Sequence, residues 1–180
     1  MSGQAIRPSV VLIGSMGAGK TTVGTLVAAA LGQSFLDTDH LVEDRAGKPV
    51  AEIFVDDGEA HFRALERAAV ADALAGHDGV LALGGGAVLD ESSRALLAGH
   101  NVVFLQVGLS DAASRVGLGV SRPLLLGNVR GRIKQLLDER TPIYRSVARH
   151  TVLTDGLSAA EVADRVLALV QDGGHATDRH

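Results

Sequence analysis

Residues 14–21 read Gly-Ser-Met-Gly-Ala-Gly-Lys-Thr, a complete G-x-x-x-x-G-K-[ST] loop. Its setting constrains the fold more than any other feature of the chain. The apolar run Val10-Val11-Leu12-Ile13 precedes it, and the helix-type segment from Thr22 to Leu31 follows it. Strand, glycine loop and helix form the context in which this pattern binds phosphate. Glycines let the backbone approach a ligand closely, and the loop amides with the helix N-terminus make an anion cradle. Gly17, Ala18, Gly19 and Thr22 contribute to that cradle. Lys20 adds a point charge for the outer phosphates, and the Thr21 hydroxyl is placed to hold Mg²⁺.

Beyond the loop, short apolar runs alternate with helical ones. Strands are expected at 34–37, 80–83, 101–107 and 150–153. Helices are expected at 40–46, 59–75, 92–98, 110–116 and 130–147, the last interrupted or restarted at Pro142. Val50 to Phe54 reads only as a short apolar piece. A capping box, Ser158-Ala159-Ala160-Glu161, opens a final helix to about Val170. On the 59–75 helix, Phe62, Leu65, Ala69 and Leu74 mark the core side, and Arg63, Glu66 and Arg67 the polar side. Five near-continuous apolar strands alternating with helices imply an α/β fold, a three-layer α/β/α sandwich around a five-stranded parallel sheet.

Composition narrows the function. The 180 residues are 46% hydrophobic with formal net charge −4, and aromatics are 3%. The charge balance and the lack of an aromatic platform weigh against nucleic acid as a partner. No cysteine is present, which excludes disulfides and cysteine–zinc sites. The seven histidines show no ligand spacing. Met1 to Pro8 lacks an apolar signal core, and no apolar run is long enough to span a membrane, so a cytoplasmic protein is the expectation.

In parallel sheets ligands bind beyond the carboxyl ends of the strands. Asp37 and Asp39 follow the second strand, where Asp37 can reach the metal shell near Thr21 and Asp39 a second substrate. The alternative is helix capping, by Thr38 or Asp39, beside a solvated carboxylate. Gly84-Gly85-Gly86 follows the third strand and marks either close approach by a ligand or a tight turn. Arg115 and Arg122 flank a glycine-rich irregular stretch, either a lid that neutralises developing charge or a solvated basic loop. Thr154 and Asp155 follow the fifth strand. Arg63 and Arg140 read as solvated arginines when taken alone, and Phe62 and Tyr144 as packing residues.

Together these segments resemble the shikimate kinases. The loop at 14–21, Asp37-Thr38-Asp39-His40-Leu41-Val42-Glu43, the G-E-x-x-F-R-x-x-E pattern at 58–66, the triplet at 84–86, Arg122-Pro123-Leu124-Leu125 and Arg140-Thr141-Pro142-Ile143-Tyr144 follow in the family's order. The resemblance implies a P-loop NTPase fold of nucleoside monophosphate kinase type and ATP-dependent phosphorylation of the shikimate 3-hydroxyl with Mg²⁺. It implies Lys20 on the transferring phosphoryl group, Thr21 and Asp37 on the metal, and Arg63 and Arg140 on the substrate carboxylate. Asp39, the candidate base, and the Gly84–Gly86 backbone would meet the ring hydroxyls. Arg122 would close over the phosphates, and Arg115, Thr154 and Ser158 would border the adenine. One domain over residues 1–172 is expected, with a lid at about 116–129, a substrate-binding region at about 37–66 and a loose tail at 173–180. A monomer is expected. One departure is the apolar, glycine-rich stretch from Val116 to Ser121, where the family often carries a polar segment with a lysine. The rival readings are a kinase for gluconate or a nucleotide, and a nucleotide-binding module without catalysis.

Overall fold

The computed structural model describes residues 5–117 and 128–173. The expected lid segment with Arg122 and the expected tail therefore lie almost wholly outside the described residues. The strands are β1 (Val10–Ile13), β2 (Ser34–Asp37), β3 (Gly79–Ala82), β4 (Val102–Gln106) and β5 (His150–Leu153). They form one parallel sheet in the order β2-β3-β1-β4-β5. The helices are α1 (Lys20–Leu31), α2 (Thr38–Ala46), α3 (Val50–Asp56), α4 (Glu59–Gly76), α5 (Glu91–Leu97), α6 (Leu109–Gly117), α7 (Val129–Val147) and α8 (Ala159–Gly173).

Side chains alternate across the strands and so build two cores. Val10, Leu12, Val103 and Leu105 face one layer, where Val23 and Val27 of α1 and Val162 and Val166 of α8 cover them. Val11, Ile13, Val102 and Phe104 face the other, against Val70 and Leu74 of α4 and Leu97 of α5. Helix α7 serves both, with Ile133 in the first core and Tyr144 in the second. It therefore crosses from one layer to the other, carrying Arg140 between those two anchors.

Two elements differ from the sequence reading. Val50 to Phe54 belongs to a helix. Val50, Ile53 and Phe54 stand at helical spacing, Pro49 precedes the first turn, and Ile53 is fully buried. Helix α7 runs through Pro142 without restarting. Pro142 is exposed, so water can serve the carbonyl that its missing N–H leaves behind. The last helix also extends to Gly173. Among the described residues, no helix is long and apolar enough to cross a membrane.

Register brings the site loops to one edge. Asp37 pairs with Ala82, Leu12 with Ala82, and Ile13 with Phe104. Gly14 leaves β1 at φ 151°, and a Cβ there would stand 2.6 Å from the Leu105 carbonyl oxygen. The first glycine of the loop is thus demanded by the neighbouring strand as well as by any ligand. Gly14→Ala should lower unfolding stability by about 2–4 kcal/mol in urea titration, from backbone strain plus overpacking.

Candidate active site

The loop after β1 wraps its own lysine. Lys20 Nζ donates to the carbonyls of Gly14 at 2.6 Å and Ser15 at 3.0 Å. Asp37 stands beside the start of α1. Its Oδ2 accepts from Thr21 Oγ1 at 3.1 Å, and its Oδ1 accepts from the Asp39 amide at 2.9 Å. Asp37, not Thr38 or Asp39, is therefore the N-cap of α2, which starts two residues earlier than the sequence pattern indicates. Capping and a place beside Thr21 hold together in one carboxylate. A hydroxyl and a carboxylate in contact, next to a phosphate cradle, are donors of the kind that Mg²⁺ takes.

Thr38 is fully buried, and its Oγ1 accepts from the Gly84 amide at 3.1 Å. This bond ties the end of β2 to the glycine triplet after β3. Asp39 reaches the same place, since a Cβ on Gly84 would stand 2.6 Å from Asp39 Oδ1 and 2.9 Å from Glu66 Oε2. Burial, then the neighbouring Asp37 and Glu66 carboxylates, push the Asp39 carboxyl up to about 6 against the pull of Lys20. A carboxyl tuned toward neutrality suits proton transfer near pH 7.

The two arginines converge on the triplet. A Cβ on Gly86 would lie 2.4 Å from Arg63 Nη1, and one on Gly85 would lie 3.5 Å from Arg140 Nη1. Arg63 is not a solvated surface arginine, because it pairs with Glu66 at 2.8 Å and Glu66 is only 4% exposed. The polar side of α4 is therefore partly turned inward. Burial raises the Glu66 carboxyl above its usual range, while Arg63 and Arg140 oppose the rise. The same Gly85 position would stand 3.6 Å from Gly14 O and Met16 N, so the triplet lies directly against the phosphate loop.

On the far side of the loop, a cleft of about 280 Å³ is lined by Ala18, Gly19, Thr22, Arg115, Thr154 and Leu157, among others. Arg115 Nη1 donates to the Gly17 carbonyl at 2.9 Å. Thr154 forms wall only, because it is fully buried and its hydroxyl donates to the Gln106 carbonyl. Ser158 lies between two lining residues, Leu157 and Ala159, with its hydroxyl accepting from the Glu161 amide at 3.2 Å as the cap of α8. Two carboxylates that the sequence reading left without a role brace this cleft. Asp155 accepts from the Gly108 amide at 2.8 Å, and Asp111 accepts from the Gly156 amide at 3.3 Å.

Sequence reasoning also passed over Thr38, Glu66 and the Tyr144 hydroxyl, which donates to the Gly85 carbonyl. The hydroxyl between the two aspartates was the available signal for Thr38. For Glu66 it was the carboxylate one turn after Arg63. Arg122 lies outside the described residues.

Comparison with known proteins agrees with this geometry. The family model described as shikimate kinase matches residues 16–171. A shikimate kinase of Thermobifida fusca is 61% identical over 160 residues, covering 89% of this chain and 93% of that protein. One of Salinispora arenicola is 59% identical, covering 92% of this chain and 99% of its own. Among solved structures, the Acinetobacter baumannii shikimate kinase in complex with shikimate superposes with a TM-score of 0.87 at 35% identity, covering 93% of this chain and 94% of that one. Strand order, site geometry and relatives spanning nearly the whole length lead to one conclusion: this chain belongs to the shikimate kinase family.

Proposed function

We propose that this chain transfers the terminal phosphoryl group of ATP to the 3-hydroxyl of shikimate, giving shikimate 3-phosphate and ADP, a step of chorismate and aromatic amino-acid biosynthesis. It is an ATP-dependent phosphotransferase by family. The observation that carries the choice of acceptor is the meeting of Arg63, Arg140 and Asp39 at one glycine triplet against the phosphate loop. An organic acid with several hydroxyls needs cations for its carboxylate and both donors and acceptors for its alcohols. Among the described residues no protein group accepts from the amides of Gly85 and Gly86, so both can donate to it.

In this reading adenine enters the cleft beside Arg115, between the loop and the turn at 154–158. Lys20 exchanges its loop carbonyls for the transferring phosphoryl group. Thr21 and Asp37 would hold Mg²⁺, which neutralises charge on the phosphates. Arg63 and Arg140 take the carboxylate, and Asp39 with the triplet amides takes the hydroxyls. As the 3-oxygen bonds to phosphorus, the bond to the ADP oxygen breaks and the hydroxyl proton passes to Asp39. Positioning and charge compensation do most of the work. Arg122 would close over the phosphates from a lid at about 116–129. The same reading takes residues 1–172 as one P-loop kinase domain, with about 37–66 as the acceptor side. It also takes the protein as a monomer of the cytoplasm.

The direct test is an ADP-release assay on purified protein with MgATP and shikimate, gluconate or nucleoside monophosphates in turn. Turnover with shikimate alone is the expected result. ATP binding without turnover would instead make the chain a nucleotide-binding module. Arg140→Ala should weaken transition-state binding of shikimate by about 2 kcal/mol through loss of a charge-assisted bond, read from kcat/KM. An unaltered value removes Arg140 from the site.

Asp39 generates a further expectation. Its carboxyl holds a proton to about pH 6 in the fold but only to about 3.8 in an unfolded chain. The associated stabilisation is complete below the lower value and disappears as pH rises through the higher one. Asp39→Asn should therefore gain stability relative to the parent between pH 4 and 7 while losing activity, measured by urea denaturation at each pH. A constant stability difference would show that Asp39 titrates normally.

A further inference from the structure

Three glycines in a row have wide conformational freedom, yet this triplet must present its amides in one direction. Something outside the triplet has to hold it. Thr38 secures the first residue through the Gly84 amide. The second anchor comes from α7, where Tyr144 is 1% exposed and its phenol donates to the Gly85 carbonyl.

The Gly85 carbonyl and the Gly86 amide belong to the same planar peptide unit, and in a trans peptide they point in opposite directions. Fixing the carbonyl on the α7 side therefore aims the Gly86 N–H away from α7. Gly86 is also the position where Arg63 packs, since a Cβ there would meet both of its terminal nitrogens within 2.6 Å. Arg140 lies one turn before Tyr144 on α7, so the two side chains share a helix face. The Tyr144 ring is held in turn by Phe104 of β4, with ring centroids 4.9 Å apart. Burial pushes the phenol up to about 12, with Arg140 opposing the rise, so the hydroxyl keeps its proton and remains a donor across the working pH range.

We propose that Tyr144 is a positioning residue for the organic acid: its hydroxyl fixes the Gly85–Gly86 peptide so that the Gly86 amide meets a ring hydroxyl of the acid whose carboxylate the Arg63 and Arg140 guanidinium groups hold. This rests on the reading of the triplet and the two arginines as the acid site. Tyr144 acts through those groups and not on the reacting atoms.

Tyr144→Phe keeps the ring and deletes the donor. The KM for shikimate should rise about three- to tenfold, as expected for one lost hydrogen bond, while the KM for ATP holds. Phe104→Leu, which damages the same core contact but keeps the hydroxyl, should lower the Tm and leave the KM for shikimate in place. Equal KM changes in the two variants would reduce Tyr144 to a core residue and overturn the proposal. An unchanged KM in Tyr144→Phe beside a raised one in Arg140→Ala would also overturn it, yet leave the acid site standing. No change in either variant removes the acid site and the proposal together. The parent protein gives a measurement that needs no substitution. The chain has one tyrosine and no tryptophan, so its ultraviolet emission reports on Tyr144 alone. Shikimate should alter that emission saturably, and calorimetric binding with unaltered emission would overturn the proposal.

Discussion

The contact between the glycine triplet and the phosphate loop is the constraint on which the site is built. Two substrates can react only if their binding elements come within a few ångströms, and side chains there would keep them apart. A Cβ on Gly85 would stand 3.6 Å from the loop backbone, and one on Gly84 or Gly86 would collide with Asp39 or Arg63. Gly84 and Gly86 thus make room for Asp39 and Arg63, while β1 and β3, adjacent in the sheet, bring their loops into direct contact. Thr38 and Tyr144 then supply the rigidity that glycine lacks.

Charge is concentrated at the same place. Asp37, Asp39 and Glu66 lie near Lys20, Arg63 and Arg140, and the Arg63–Glu66 pair is largely removed from water. Such pairs add little net stability, because desolvation offsets most of the attraction. Their value is in orientation. Glu66 holds Arg63 at the triplet, so the proposed acid would cost less freedom on binding. The raised Asp39 carboxyl is the other side of this arrangement, since a group held partly charged among carboxylates costs folding energy and gains basicity.

Much of this was legible in the chain itself. β1, β3 and β4 are buried on both faces, so unbroken apolar runs located them within a residue or two. The loop at 14–21 carries its chemistry in its own residue types. Helix α3 was not legible, because five apolar residues fit either period and only burial of Ile53 decides. Arg63 and Arg140 look solvated in isolation, and only their place among ordered motifs singled them out. The tasks of Thr38, Glu66 and Tyr144 depend on partners far along the chain and become visible only when the fold brings those partners together. Ser158 is the opposite case, as the box at 158–161 already announced that its hydroxyl caps α8.

The sheet order separates the two halves of the reaction in space. β2, one margin of the sheet, ends at Asp37 beside the proposed acid site, while β5, the opposite margin, leads to the turn bordering the proposed adenine cleft. The phosphate loop follows β1 in the middle. In the proposed reading, remodelling at the first margin that spares Asp37 would redirect the acceptor without disturbing nucleotide recognition at the second. On that reading acceptor choice is an exchangeable module, open to divergence while the ATP half stays fixed.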